Sequence, residues 1–146
     1  MNIELFIDRL QALQRTISIV SPVALSVKRC YWGAPAASIG DFPAIINTLT
    51  EMERSLGMGV RKENDYRVAV QLLAARATPE DERSSRIATA LWFAAKEAFD
   101  ADRTIGGTVL HSALQGANPT VPVLLQHGGQ AYIGFDAYLT VKTITS

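Results

Sequence analysis

The sequence contains very little cysteine and no excess of either charge. Its 146 residues include a single cysteine, Cys30, which excludes an internal disulfide and suits a reducing compartment such as a cytoplasm. Fourteen basic and 14 acidic side chains give a formal net charge of zero, so the whole chain has no electrostatic attraction to nucleic acid. Zero net charge also removes the self-repulsion that keeps copies of a protein apart, and association between copies is therefore easy.

Long apolar runs are also missing. No stretch approaches the roughly 18 consecutive apolar residues of a membrane span, and the N-terminus lacks the basic start and apolar core of a signal peptide. Hydrophobic residues nevertheless make up 48% of the chain and charged residues only 19%, which argues against disorder. We therefore expect one soluble domain over residues 1–146 with a single hydrophobic core, made in a cytoplasm.

The clearest pattern is a strict alternation from Gln130 to Ile144, which predicts one long β-strand after a Gly128-Gly129 turn. One face carries apolar residues and is expected to pack on a core: Ala131, Ile133, Phe135, Ala137, Leu139 and Val141. The other face is expected to meet water or a partner: Tyr132, Asp136, Tyr138, Thr140 and Lys142. A small protein with such a strand is organised around a sheet surface.

The remaining elements follow from periodicity and caps. Thr78 and Pro79 resemble an N-cap and first helical position, and acids follow them in the first turn. In the first half of the chain the sequence predicts a helix at 3–17, a short strand near 25–30, a loop at 32–41 and a strand at 44–51. A strand at 66–77 and a helix from 78 to about 100 follow. The last part is predicted as a loop from 102 with a short extended piece at 108–110, and then a hairpin of 121–126 with 130–144. This order predicts an α+β domain whose antiparallel or mixed sheet has helices packed mainly on one face.

Residues that could carry chemistry are sparse. Gly57-Met58-Gly59 lacks the Gly-Lys-Ser/Thr of a phosphate-binding loop, and His111 and His127 have no Cys or His at metal-ligand spacing. Cys30 follows Lys28-Arg29, which could lower its pKa, but a buried packing cysteine is the commoner case. We therefore predict no catalytic, cofactor-binding or metal-binding residue.

The order of pieces resembles the tail terminator proteins of long-tailed bacteriophages, similar to the lambda minor tail protein U type. The resemblance covers nearly the whole chain. It consists of the N-terminal amphipathic helix, the strand YRVAVQLLAA from Tyr66, the helix start PEDER from Pro79, the loop segment DRTIGGTV from Asp102, and the closing hairpin that ends in YIGFDAYLTV from Tyr132.

The resemblance implies a non-enzymatic subunit of the virion, assembled in the host cytoplasm as a ring, typically a hexamer. Such a ring caps the head-proximal end of the tail tube, stops its elongation and joins the tail to the head connector. Its implied partners are further copies of the chain, the tail-tube protein, the head connector or stopper protein, and DNA passing through the lumen. Our predicted interface residues lie in the long loop, a basic pair and the last strand: Trp32, Pro35, Ile39, Arg61, Lys62, Tyr132, Asp136, Tyr138 and Lys142.

Three other functions stay open at this point. A neck or head-completion protein from the same virion setting has a similar layout. A small hydrolase would need Cys30 within hydrogen-bond reach of His111 or His127. An adaptor could bind peptide strands along its sheet edge. Two alternatives also stay open for the basic pairs Lys28-Arg29 and Arg61-Lys62. They form part of a solvent-exposed face, or they lie near DNA or an acidic partner.

Overall fold

A computed structural model describes residues 2–35, 38–55, 62–78, 82–116 and 122–145, with only the backbone at 51–55, 62, 63, 144 and 145. The elements in chain order are α1 (Ile3–Arg15), β1 (Ser18–Ile19), β2 (Leu25–Ser26), β3 (Arg29–Trp32), β4 (Ala44–Ser55), β5 (Lys62–Arg76), α2 (Glu82–Ala101), β6 (His111–Gly116), β7 (Val123–His127) and β8 (Gln130–Thr145).

Six of these strands form one mixed sheet in the order β3-β4-β5-β8-β6, with β7 also paired to β8. The β3–β4 pair is parallel and the other pairs are antiparallel. β6 and β7 lie one after the other along the same strand, because β6 pairs with 137–142 of β8 and β7 with 130–134. The long alternating strand predicted from the sequence is therefore confirmed, and it lies inside the sheet.

Both helices pack on one face of this sheet, which we call the inner face. α1 contributes the buried Phe6 and Leu10, and α2 contributes Leu91 and Phe99 to the same cluster as the odd-numbered residues of β8. The Trp92 ring lies 5.1 Å from the Phe135 ring, which joins α2 to β8. The predicted α+β class and the helix placement are both confirmed.

The opposite, outer face is covered at one end without a helix. Residues 38–43 fold over it, and Ile39, Leu125 and Tyr132 form a second buried cluster there with Ala44, Ile46 and Leu73. The Phe42 ring lies 5.8 Å from the Tyr132 ring. The sequence prediction that Tyr132 faces water or a partner is therefore wrong, because this segment buries its side chain completely.

Glycine fixes two local geometries in the last hairpin. Gly128 and Gly129 both have positive φ, +57° and +78°, so they form the two-residue turn predicted between β7 and β8. At Gly134 an added Cβ would collide with the Leu72 carbonyl, beside the bulge between Leu73 and Ala75. Only glycine allows β8 to approach the bulged β5 so closely.

Several predicted boundaries need correction. α1 ends at Arg15 rather than Ile17, because Thr16 caps it and Ile17 enters the core. The strand expected at 108–110 begins at His111 instead, because Thr108 is held in a turn by its N–H bond to the Thr104 carbonyl. β4 is longer than predicted and ends at Ser55. β5 is also longer than predicted and begins at Lys62. The predicted first turn at 79–81 lies outside the described residues.

Candidate interaction surfaces

The open part of the outer face is a polar surface formed by β5, β8 and β6. Ladder partners share a face, so Gln71, Ala69, Arg67 and Asp65 of β5 lie beside Asp136, Tyr138, Thr140 and Lys142 of β8. His111, Ala113 and Gln115 extend the surface onto β6. We call this set the outer polar surface. Three of the predicted interface residues, Asp136, Tyr138 and Lys142, lie within it, partly or fully exposed.

Side-chain contacts order the outer polar surface. The Arg67 guanidinium carbon lies 5.2 Å from the centre of the Tyr138 ring, a cation–π distance. His127 Nε2 lies 2.8 Å from Gln71 Oε1, and the Gln71 side chain also hydrogen-bonds Asp136. Because a carboxylate accepts, the Gln71 amide donates to Asp136 and its oxygen receives the His127 N–H. Burial raises the pKa of Asp136, and the Gln71 bond opposes this.

A cleft of about 270 Å³ opens at the far end of this surface. Asp65, Arg67, His111, Thr140 and Lys142 line it, so it holds both signs of charge. His111 Nε2 lies 3.3 Å from the Arg103 guanidinium, which also pairs with Asp100 of α2 at 3.4 Å. Such mixed charge suits contact with another polar protein surface more than a site for one kind of ion.

The predicted loop residues divide between surface and core. Trp32 ends β3 with 36% of its surface exposed, and its ring lies edge-on to Phe6 of α1, 6.5 Å away. Pro35 is half-buried. Ile39 is only 2% exposed, and its N–H donates to the Tyr132 hydroxyl at 3.3 Å. Ile39 and Tyr132 therefore stabilise the fold and present no side chain to a partner.

The structure bears differently on the basic pair Arg61-Lys62 and on Cys30, the nucleophile that the hydrolase alternative would need. Arg61 lies outside the described residues, and Lys62 is described only as the first residue of β5. Cys30 lies on the inner face of β3, whereas His111 and His127 lie on the outer face at the opposite edge. Four strand spacings of about 4.8 Å separate these edges, so the pairing that a Cys-His hydrolase needs is not formed. Burial raises the pKa of the Cys30 thiol to about 11, a rise that the Arg15 charge only partly offsets.

Sequence patterning did not reveal three of the exposed apolar side chains. Leu49 of β4 is 44% exposed, Leu124 of β7 is 65% exposed and Phe93 of α2 is 65% exposed. Leu49 and Leu124 stand next to unpaired sheet edges, whereas Phe93 lies on α2 across a shallow groove from Val20. The exposure of Leu49 and Leu124 depends on which strands are neighbours, and no local pattern signals it.

The described residues bring no three His, Cys, Asp or Glu side chains together as a metal-binding group. Within the same residues, neither helix is long and apolar enough to cross a bilayer. A scan against models of known protein families and a search of curated proteins both give no match for the chain.

Proposed function

We propose that the protein is a structural subunit of a bacteriophage particle that assembles, as a hexamer, into a ring on the head-proximal end of the tail tube. The ring stops tube elongation and joins the tail to the head connector. DNA passes through its lumen. The protein acts through its contact surfaces and makes or breaks no covalent bond.

The observation that carries this proposal is a sheet whose described residues leave one polar face without a helix and two edges open. The outer polar surface presents ordered but partly exposed groups, including the Arg67–Tyr138 pair and the His127–Gln71–Asp136 chain. Polar, hydrogen-bonding surfaces with Tyr and Arg at their centre are typical of contacts between proteins. A subunit with different edges on its two sides suits the heterologous contacts of a closed ring.

The resemblance to tail terminators gives this surface a place in a particle. The pieces on which it rests are α1, β5, the turn after α2 and the β7–β8 hairpin, and their described parts all belong to one α+β domain. The resemblance favours a subunit of the phage tail over a peptide-binding adaptor, which would present one sheet edge to an extended peptide.

The test is tube elongation in the presence of the full chain. A phage tail-tube protein is allowed to polymerise with and without the chain, and tube lengths are measured by negative-stain electron microscopy. We expect a ring at one end of each tube and a mean length that falls as the amount of the chain is raised.

A charge-reversed variant on α2 provides the control. Reversal of exposed Glu97 on α2 (Glu97→Lys) should leave tube lengths as they are with the unaltered chain. If the unaltered chain neither binds tubes nor changes their length, the proposal is wrong. Binding to the head connector without any effect on tubes would favour a neck or head-completion protein instead.

A further inference from the structure

The two lateral edges of the main sheet are both open over the described residues. β3 pairs only with Ala44–Asn47, so β4 has no described partner on that side from Thr48 to Ser55. On the other side β7 pairs with β8 alone. Each open edge presents backbone N–H and C=O groups that a further strand can pair with.

The neighbouring strand β6 is less available than β7. Lys96 of α2 donates to the Leu114 carbonyl at 2.7 Å, so a side chain already contacts the backbone of β6. No such contact to the backbone of Val123–His127 is present among the described residues. The available edge on this side is therefore β7, with five residues.

Strand directions match if a second copy supplies the missing strand. β4 is antiparallel to β5, β5 to β8, and β8 to β7, so β7 runs opposite to β4. When the sheet of one copy is continued by the next, β7 therefore meets β4 in an antiparallel ladder, the more stable of the two arrangements. The contact joins different patches of neighbouring copies, which is the kind of contact that a closed ring needs.

Exposed apolar side chains also match across this junction. Leu49 faces the inner side of β4, and Leu124 faces the inner side of β7, because their ladder partners Val68 and Ile133 are inner-face residues. A continued sheet keeps its inner faces on one side, so the two leucines become cross-strand neighbours. Trp32, at the end of β3, flanks the same edge of β4.

A second copy is the occupant that suits both edges. β4 and β7 run in opposite directions, and each carries one exposed leucine on the inner face. A foreign peptide could use one edge, but only another copy of this chain uses both at once.

We propose that β7 of one copy adds to the open edge of β4 of the next, with Leu124 against Leu49, and that this junction builds the ring. The inference rests on the proposed function for the ring itself, and it names the contact that holds the subunits together.

The test uses two single variants and their mixture, measured by size-exclusion chromatography with light scattering. Leu49→Asp and Leu124→Lys each place a charge in an apolar contact, so each alone should raise the dissociation constant of assembly at least about tenfold. Mixed in equal amounts they should assemble again, because an alternating ring pairs every introduced aspartate with an introduced lysine and leaves the other junctions unaltered. Phe93→Lys, an equally exposed apolar residue on α2, should assemble like the unaltered chain.

Amide hydrogen exchange on the unaltered chain gives a second measurement that needs no variant to fold. Residues 48–53 and 123–127 should exchange at least about tenfold more slowly in the assembled chain than in the dilute chain. Assembly by the unaltered chain with unchanged exchange at both edges would overturn the inference and leave the ring standing. Single variants that assemble normally, or a mixture that does not recover, would do the same. A chain that neither assembles nor affects tubes would overturn the proposed function too.

Discussion

The Tyr132 hydroxyl accepts the backbone N–H of Ile39 at 3.3 Å, although 93 residues separate them in the chain. This bond fastens the segment after β3 to the outer face of β8. Both side chains are buried, and the aromatic ring of Tyr132 lies against Phe42. The contact explains why one end of the outer face is core while the other stays open.

Removal of this contact should destabilise the protein in two steps. Tyr132→Phe keeps the ring and loses the hydroxyl, so we expect a loss of about 1 kcal/mol from the free energy of unfolding. Tyr132→Ala also empties the cluster and should cost about 3–5 kcal/mol. Urea unfolding followed by circular dichroism measures both. Equal losses for the two variants would mean that the ring packs far less than its burial indicates.

A second buried contact joins α1 to β4. Gln14 and Asn47 are both 0% exposed, and their amides exchange two hydrogen bonds of 2.6 and 2.8 Å. Gln14→Met or Asn47→Leu leaves the other amide buried with fewer partners, at a cost of roughly 1–3 kcal/mol each. The double variant should lose less than the sum, by roughly 0.5–3 kcal/mol, in a double-mutant cycle of denaturant unfolding. Strictly additive losses would contradict an energetic link between the two side chains.

The Cys30 thiol should react slowly in the folded protein. Because burial raises its pKa from 9.0 to about 11, the thiolate fraction at pH 8 is about a hundredfold lower than for an ordinary thiol. The rate of modification by a disulfide reagent should therefore keep rising up to about pH 11. A rate that levels off near pH 9 would contradict this environment, and the same measurement tests the hydrolase alternative.

The same shift gives stability a defined pH dependence. The folded pKa lies above the unfolded one, so this group stabilises the fold fully below about pH 9, and the contribution is lost as the pH rises to about 11. The stability of the unaltered protein relative to Cys30→Ser should fall over that interval. A difference that stays constant from pH 8 to 11 would exclude linkage to this thiol.

The outer polar surface is tested by a paired change. Asp136→Lys together with Tyr138→Ala removes a carboxylate and the ring under Arg67, and both positions are partly exposed. We expect an intact fold, with at most about 2 kcal/mol lost, and weaker assembly in light scattering. Glu97→Lys with Phe93→Ala makes the same kinds of change on α2 and should leave assembly unaltered. If the first pair of changes leaves the mass of the assembly unaltered, the outer polar surface takes no part in the contact between copies.

The sequence predicted well those features that depend on local pattern. The alternation of β8, the glycine turn before it and the amphipathic α1 all appear in the structure, because side-chain period and turn geometry are properties of short segments. The strand β6 was placed three residues too early, because its start depends on pairing with β8 rather than on its own residues. At the predicted position, the N–H groups of Thr108 and Val109 bond the Thr104 carbonyl in a turn.

Features that depend on distant contacts could not be predicted in this way. Tyr132 alternates correctly with its neighbours, yet a segment 93 residues away covers it. Leu49 and Leu124 read as ordinary strand residues, and their exposure follows only from the absence of a neighbouring strand within the described sheet. Burial on the second face of a sheet, and the edges left open, are set by topology, which no local period encodes.

The mass of the full chain in solution tests the central claim most directly, because the account requires surfaces that bind further copies. Native mass spectrometry should give one closed species of about 95 kDa, six times the 15.8 kDa chain, in exchange only with free chain on dilution. A spectrum that contains only single chains at concentrations up to the millimolar range would contradict it.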